Sequence, residues 1–297
     1  MWKKIKCLYA PDKTISSYTH AANPAAIKIS NNGIHRVFFN MRDSEQKSHI
    51  NYLDIDLDND FHVVKYNQKP VVSPNDNGSF DDRGCSLGCI VSHNNETILY
   101  YLGWNLGKDV PFRNAIGIAK SLDNQSFVKP FIGPVIDRSI YDPFSISYPF
   151  ILIEDGIWKM WYGSHKQWGK TTDDMIHAIK YAESMNGIHW KCSNHTCIDT
   201  DERDYAFSRP SVIKEEGIYK MWYSYRGGKY RIGYAESMDG LNWVRKDELV
   251  GITVSKNGWD SEMICYPFVF SYLEKRYMLY NGNGYGRTGI GVAQWID

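Results

Sequence analysis

No run in this 297-residue sequence stays apolar for anything near the roughly 20 residues that a bilayer crossing needs, which argues against a helical membrane protein. The first residues, MWKKIKCLYAPDK, carry lysines but no apolar core of signal-peptide length, so no secretion signal is expected. Net charge is missing too, because 34 Lys and Arg balance 34 Asp and Glu. With no basic excess, neither nucleic acid nor a membrane surface is expected as a partner. Six cysteines, Cys7, Cys85, Cys89, Cys192, Cys197 and Cys265, are few and irregularly spaced. They read as free thiols of a cytoplasmic chain. Cys85 and Cys89 lie four apart, as many metal pairs do, yet no second Cys or His pair follows at a finger-like spacing, so neither metal nor cofactor is expected. Low-complexity stretches and linkers are absent as well.

What is present is a repeat. The segment Ser208 to Trp243 holds three short runs rich in β-branched and aromatic residues, separated by Glu216-Gly217 and Gly227-Gly228, and so reads as an antiparallel meander. A Ser237-Met238-Asp239-Gly240 turn then leads toward a fourth strand at Trp243. Taking Pro210 as a mark in the first strand, Pro24, Gly88, Pro149 and Pro267 are its equivalents, at steps of 64, 61, 61 and 57 residues. An aromatic closes each second strand, as Phe39, Tyr101, Tyr162, Tyr223 and Tyr280, and the turn recurs at Ser121 and Ser184. A four-strand unit cannot bury both its faces alone, so units must stack. The pattern predicts an all-β fold: a single domain over 1–297, built as a five-bladed β-propeller of four-stranded antiparallel blades. A β-sandwich is the alternative, but it gives no reason for an aromatic at a fixed offset in every unit.

The fifth unit ends just after its third strand, and Trp2-Lys3-Lys4-Ile5-Lys6 resembles the fourth-strand segments at Trp190-Lys191 and Trp243-Val244-Arg245. Residues 2 to 8 are therefore expected to join the last blade as its outer strand and cover an open edge.

Strands in a meander alternate in direction, so the start of each first strand and the end of each second strand emerge on one face, near the axis, where a pocket would form. Before the first-strand marks lie His20 and Asn23; Asp82 and Arg83; Asp142 and Tyr148; Asp204 and Arg209; and Asp260, Glu262 and Tyr266. Three residues after the second-strand aromatics lie Arg42, Trp104, His165, Arg226 and Asn283, different in every unit. Insertions at Val71 to Gly84, Gly103 to Asn114 and His165 to Asp174 concentrate loops over the first three units and bring Trp104 and Trp168. Asp82, Asp142, Asp204 and Asp260 recur six or seven residues before their marks, a pattern that equally fits loop capping. Glu262 precedes Met263, Ile264 and Cys265; apolar surroundings would raise its pKa as a general acid requires, while a salt bridge is the structural reading.

The repeat, together with His20-Ala21-Ala22-Asn23-Pro24, Ser237-Met238-Asp239-Gly240-Leu241-Asn242-Trp243 and the segment Gly258 to Pro267, resembles the five-bladed propeller glycosidases of arabinanase/xylosidase, invertase and mannoside-phosphorylase type. It is most similar to the glycosylases encoded among bacterial surface-polysaccharide genes. The resemblance implies a carbohydrate-active enzyme that works on a glycosidic bond, with a saccharide or sugar phosphate as partner. Such families place an Asp on the first blade, an acid on the third and a Glu proton donor on a later one. Here Asn23 stands before Pro24, Tyr148 before Pro149 and Arg209 before Pro210, so the hydrolytic set is incomplete. On this reading Glu262 is the acid, Asp142 or Asp204 the base or modulator, and Trp104 and Trp168 are sugar-stacking surfaces. Substrate-binding residues are expected to be His20, Asn23, Arg42, Asp82, Arg83, Trp104, Tyr148, His165, Arg209, Arg226 and Tyr266. The arginines suit a phosphate, an acidic sugar or a nucleotide-linked sugar, which admits hydrolase, phosphorylase or glycosyl transferase. A sugar-binding propeller without catalysis, favoured by Asn23, and a protein-interaction propeller are the competing classes.

Overall fold

A computed structural model describes residues 1–12, 17–169, 171, 174–202 and 204–296. The connection expected from Pro11 to Asn23 and the insertion expected from His165 to Asp174 lie partly outside these residues. Among the described residues the chain is all-β, with two short helical turns at Asp247–Leu249 and Asn283–Gly286. Among the described residues no helix is long and apolar enough to cross a membrane.

The strands are β1 (Trp2–Tyr9), β2 (Thr19–Lys28), β3 (Ile34–Arg42), β4 (Ser48–Asp56) and β5 (His62–Tyr66); then β6 (Gly84–His93), β7 (Glu96–Leu106) and β8 (Phe112–Ser121). They continue with β9 (Ile146–Glu154), β10 (Ile157–Gln167), β11 (Ile176–Ser184) and β12 (Trp190–Ile198), followed by β13 (Ser208–Glu215), β14 (Ile218–Arg226), β15 (Tyr230–Ser237) and β16 (Val244–Arg245). The last three are β17 (Cys265–Tyr272), β18 (Lys275–Asn281) and β19 (Ile290–Trp295). Two-residue turns connect first and second strands at Asn94-Asn95, Asp155-Gly156, Glu216-Gly217 and Leu273-Glu274, and all eight residues have positive φ. That geometry matches the right-handed twist of the strands it joins.

Strands β9 to β12 and β13 to β16 form two four-stranded antiparallel sheets, and β17, β18, β19 and β1 form a third. The N-terminal strand is thus the outer strand beside β19, with Trp2 opposite Trp295 and Tyr9 opposite Ile290. Strands β2 to β5 and β6 to β8 are each antiparallel and share a single parallel pair, Ser48 with Gly84, which merges them into one seven-stranded sheet. Beyond β8 the expected fourth strand is reduced to two bridges, Ile116 with Ile136 and Lys120 with Val128. The first strands touch in cyclic order, β2 with β6, β6 with β9, β9 with β13, β13 with β17 and β17 with β2.

Two recurring contacts explain the periodic residues. The second-strand tyrosine is buried and donates its hydroxyl to the aspartate of the loop before its first strand: Tyr101 to Asp81, Tyr162 to Asp142 and Tyr280 to Asp260, each at 3.0 Å. A lysine neutralises each carboxylate, Lys129 at 2.6 Å, Lys180 at 3.3 Å and Lys4 at 2.6 Å. Burial and then the neighbouring carboxylate charge push the Tyr162 and Tyr280 hydroxyls well up, so both stay protonated donors. The Ser-containing turns link neighbouring sheets, since Tyr100 Oη and Trp161 Nε1 each donate at 2.7 Å to the carbonyls of Gly187 and Gly240. Both glycines have φ above +70°, a conformation that penalises any other residue.

Candidate functional site

Each first strand carries a register shift near its mark, between Ala22 and Ala25, Leu87 and Cys89, Ser147 and Phe150, Ser208 and Ser211, and Cys265 and Phe268. In four of them the residue before proline takes positive φ: Asn23 (54°), Tyr148 (28°), Arg209 (50°) and Tyr266 (57°). Such bulges re-aim side chains, and strained backbone of this kind gathers at ligand sites. Here they bring Asn23, Tyr148 and Tyr266 to a cavity lined by all five groups of strands.

The cavity has two overlapping lobes of about 290 and about 350 Å³. Arg42, Ser86, Phe112, Tyr148, Met175, Tyr230 and Tyr266 belong to both. One lobe adds Leu102, Trp104, Asn114, Ser147, His165, His177 and Ser208. The other adds His20, Asn23, Asn40, Ser48, Arg226 and Tyr285. Of the residues named from sequence, His20, Asn23, Arg42, Trp104, Tyr148, His165, Arg226 and Tyr266 meet there. Trp168 stands behind the first lobe, its ring 5.2 Å from Phe112 and 4.9 Å from His165.

No aspartate or glutamate is among the described lining residues. The charges that do line it are positive. Arg42 has no carboxylate partner among the described residues, and the Arg226 guanidinium carbon lies 5.2 Å from the rings of Tyr205 and Tyr230. His20 is held down to about pKa 4 by burial and then by Arg42 and Arg287, so it is neutral at pH 7. His177 is likewise lowered to about 4, by burial and by Arg226 against a bond to the Phe207 carbonyl. His165, stacked on it with centroids 5.1 Å apart, is pushed well below its ordinary value by the same burial and by His177. Among the described residues, the buried lining atoms Asn23 Oδ1, Ser147 Oγ, His165 Nδ1 and Ser208 Oγ have no hydrogen-bond partner. Buried polar atoms are rarely left so, and their presence in the walls of both lobes is what a site for a polar ligand requires.

The remaining candidates lie elsewhere. Asp142 is fully buried and holds Tyr162, Ser164 and Lys180, which makes it part of the scaffold and unreachable for a substrate. Asp204 pairs with Arg245 at 2.6 Å in an outer cluster with Asp201 and Asp247. Glu262 was expected among apolar groups, but its side chain is 66 % exposed and paired with Lys229 at 3.2 Å, outside the lining. Met263, Ile264 and Cys265 turn inward while their neighbour turns out. Asp82 accepts the Gly78 N–H at 2.8 Å, a loop-capping role, and neither it nor Arg83 lines the cavity. Arg209 is buried below the floor. Its guanidinium donates to the carbonyls of Leu87, Gly88 and Pro24 at 2.5 to 2.8 Å, tying β13 to β6 and β2, and burial lowers its pKa to about 10. Asn283, the fifth member of the second-strand set, accepts the backbone N–H groups of Glu262 and Met263 instead.

Sequence reasoning missed His177, Tyr230, Asn40, Asn114 and Tyr285. Tyr230, His177 and Asn114 are the first, second and third residues of the third strands β15, β11 and β8, away from the first-strand starts and second-strand ends. His177 could have been found as the residue of β11 paired opposite His165.

This is an all-β propeller fold with an axial cavity. No family model matches the sequence. It is 42 % identical over 294 residues, 98 % of either chain, to two Mycobacterium tuberculosis proteins described as uncharacterized, MT1551 of strain CDC 1551 / Oshkosh and Rv1502 of strain ATCC 25618 / H37Rv. The chain belongs to the family of these two proteins. Among solved structures it is similar to a glycoside hydrolase (TM-score 0.78, 14 % identity, 99 % of this chain and 91 % of that one). A thermostable family-43 glycoside hydrolase gives a TM-score of 0.71 at 17 % identity, over 94 % of this chain and 91 % of the other. A structure from work on the GH130 family of mannoside phosphorylases gives 0.73 at 16 % identity, over 99 % and 93 %. At these identities the likeness establishes the fold, that of glycoside-hydrolase-type propellers.

Proposed function

We propose that residues 1–297 form one five-bladed β-propeller, with β1 as the outer strand of its last blade, which acts on a glycosidic bond of a saccharide carrying an anionic group: phosphorylated, acidic or nucleotide-linked. The cyclic contacts of five first strands and the pairing of β1 with β19 support the blade count. The observation that carries the function is Arg42, which lines both lobes without a carboxylate partner among the described residues, in a described lining that holds no carboxylate. Glycoside hydrolysis by two protein carboxylates needs both beside the bond. In this reading the anion held by Arg42 is the nucleophile that replaces water in phosphorolysis, or the leaving group that an acceptor hydroxyl displaces in glycosyl transfer. Glu262, Asp142 and Asp204 then serve the surface and scaffold. The six free thiols support a cytoplasmic location, and the resemblance noted above supports surface-polysaccharide metabolism as the setting. A second reading, binding without catalysis, is favoured by Asn23, whose amide cannot act as base or nucleophile.

The test is a calorimetric and thermal-shift panel of hexose 1-phosphates, hexuronates, nucleotide sugars and neutral oligosaccharides, with wild type and Arg42→Met. A ligand at a hundred times its Kd stabilises by about 2.7 kcal/mol. With an unfolding entropy of about 0.6 kcal/mol/K for this length, the melting temperature rises by about 4 °C. Anionic saccharides should produce that rise in wild type and lose it in the variant. Stabilisation by neutral oligosaccharides alone overturns the anion assignment, and no response to any saccharide overturns the reading altogether. Release of inorganic phosphate from a bound hexose 1-phosphate in the presence of acceptor saccharides separates catalysis from binding.

A further inference from the structure

The two lobes differ in what they can hydrogen-bond, and that difference gives the ligand a direction. His177 Nδ1 lies 2.7 Å from the Phe207 carbonyl oxygen, which can only accept, so Nδ1 carries the proton. In the neutral ring Nε2 is then a bare lone pair, and no hydrogen bond of the described residues takes it. The ring lines the lobe that also contains Trp104 and Phe112. In the same lobe, Ser147 Oγ and His165 Nδ1 are buried without partners among the described residues. Apolar ring faces with acceptors and hydroxyls at their edge suit a pyranose, whose C–H face stacks while its hydroxyls donate. They do not suit phosphate or carboxylate, whose lone pairs would meet the lone pair of His177. Arg42 stands on the wall common to both lobes, and the other lobe adds Arg226 and neutral His20 to it.

We propose that the ligand lies across both lobes in one orientation, its sugar ring between Trp104 and the His165–His177 pair with a hydroxyl donating to His177 Nε2, and its anionic group at Arg42. This rests on the anionic-saccharide reading and adds a specificity-determining residue that contacts the sugar rather than the anion. Burial keeps both imidazoles neutral at pH 7, as an acceptor must be.

His177→Asn separates the roles of the ring, because the asparagine amide can still donate to the Phe207 carbonyl while nothing remains at the Nε2 position. Titration calorimetry with inorganic phosphate and with glucose, galactose and mannose 1-phosphates is run on wild type, His177→Asn and His177→Gln, after their melting temperatures are compared. Wild type should bind at least one hexose 1-phosphate more tightly than inorganic phosphate. In His177→Asn that ester should weaken about 5- to 20-fold, the size of one buried hydrogen bond, with inorganic phosphate unchanged. His177→Gln, which carries an amide oxygen near the Nε2 position, should recover part of the loss. Equal weakening of ester and inorganic phosphate, or no weakening of either, overturns the orientation. If wild type binds inorganic phosphate but prefers none of the esters, the sugar lobe is refuted while the anion site stands; if it binds neither, the functional reading itself falls. Should His177→Asn melt far below wild type, His165→Asn provides the same comparison, with selective loss of ester affinity expected and unchanged ester affinity refuting the lobe assignment.

Discussion

Removing the lysine that the N-terminal strand contributes to the last sheet tests how the two ends of the chain are joined. Lys4 Nζ lies 2.6 Å from Asp260 Oδ2 and donates to Ser255 Oγ at 2.9 Å. Asp260 is 2 % exposed and is otherwise held by the Tyr280 hydroxyl. Lys4→Met keeps the aliphatic stem but leaves a buried carboxylate without its counter-charge. Breaking one side of a fully buried pair costs about 3–5 kcal/mol. The Lys4 side chain is 26 % exposed, so water reaches the vacated position and the expected loss is about 2–4 kcal/mol. Divided by an unfolding entropy of about 0.6 kcal/mol/K for 297 residues, that is a fall in melting temperature of about 3–6 °C. Urea unfolding and calorimetry of Lys4→Met, Asp260→Asn and the double variant form a cycle. The double variant should be more stable than Lys4→Met, because the unpaired charge is gone. A Lys4→Met protein that melts like wild type, or a double variant whose loss equals the sum of the two singles, would refute the idea that this pair clasps the terminal strand to the sheet.

The two stacked histidines give stability a pH dependence in a window that carboxylates leave clear. His177 has a folded pKa of about 4 and His165 is also depressed, so below about pH 6.5 the unfolded chain binds protons that the folded one does not. Stability should be level above about pH 7 and fall toward pH 4.5 with a slope of up to about 1.4 kcal/mol per pH unit for each ring; a urea midpoint constant from pH 7 to 4.5 would contradict this. Glu262→Gln, at an exposed surface pair, should change the melting temperature by less than about 1 °C and leave hexose 1-phosphate affinity unaltered. A turnover loss of about 100-fold or more, the scale of general-acid catalysis, would restore Glu262 to the chemistry.

The scaffold was legible in the sequence because its contacts repeat at fixed offsets. Three of the four tyrosines that close second strands meet an aspartate 20 residues earlier, while Tyr223 donates to Asp247, 24 residues later, and the Ser-turn glycine carbonyls of Gly187 and Gly240 meet the neighbouring sheet. Selection for such contacts acts on every unit alike, so their residues recur and stand out. The same rule separated scaffold from site at second-strand ends, where Arg42, Trp104, His165 and Arg226 differ in each unit and all line the cavity. Recurrence also pointed to loop aspartates, and a structural role for Asp142 was one of the readings it left open.

Side-chain direction and distant partners were left to the tertiary structure. Glu262 stands next to three apolar residues in the chain yet points to water, because it sits in a bend ahead of the strand that begins at Cys265, where it pairs with Lys229. Arg209 looked like a ligand-binding arginine, but its bulged backbone sends the guanidinium beneath the floor, to carbonyls about 120 and 185 residues away. Asp142 finds its counter-charge in Lys180, on a strand two further along the sheet. Sequence determined the repeating sheets, the strand order and the positions free to vary. Only the packing of the sheets decided which of those positions face the axis, because the partners that hold a side chain, such as the Leu87, Gly88 and Pro24 carbonyls around Arg209, come from other units with no fixed offset in the chain.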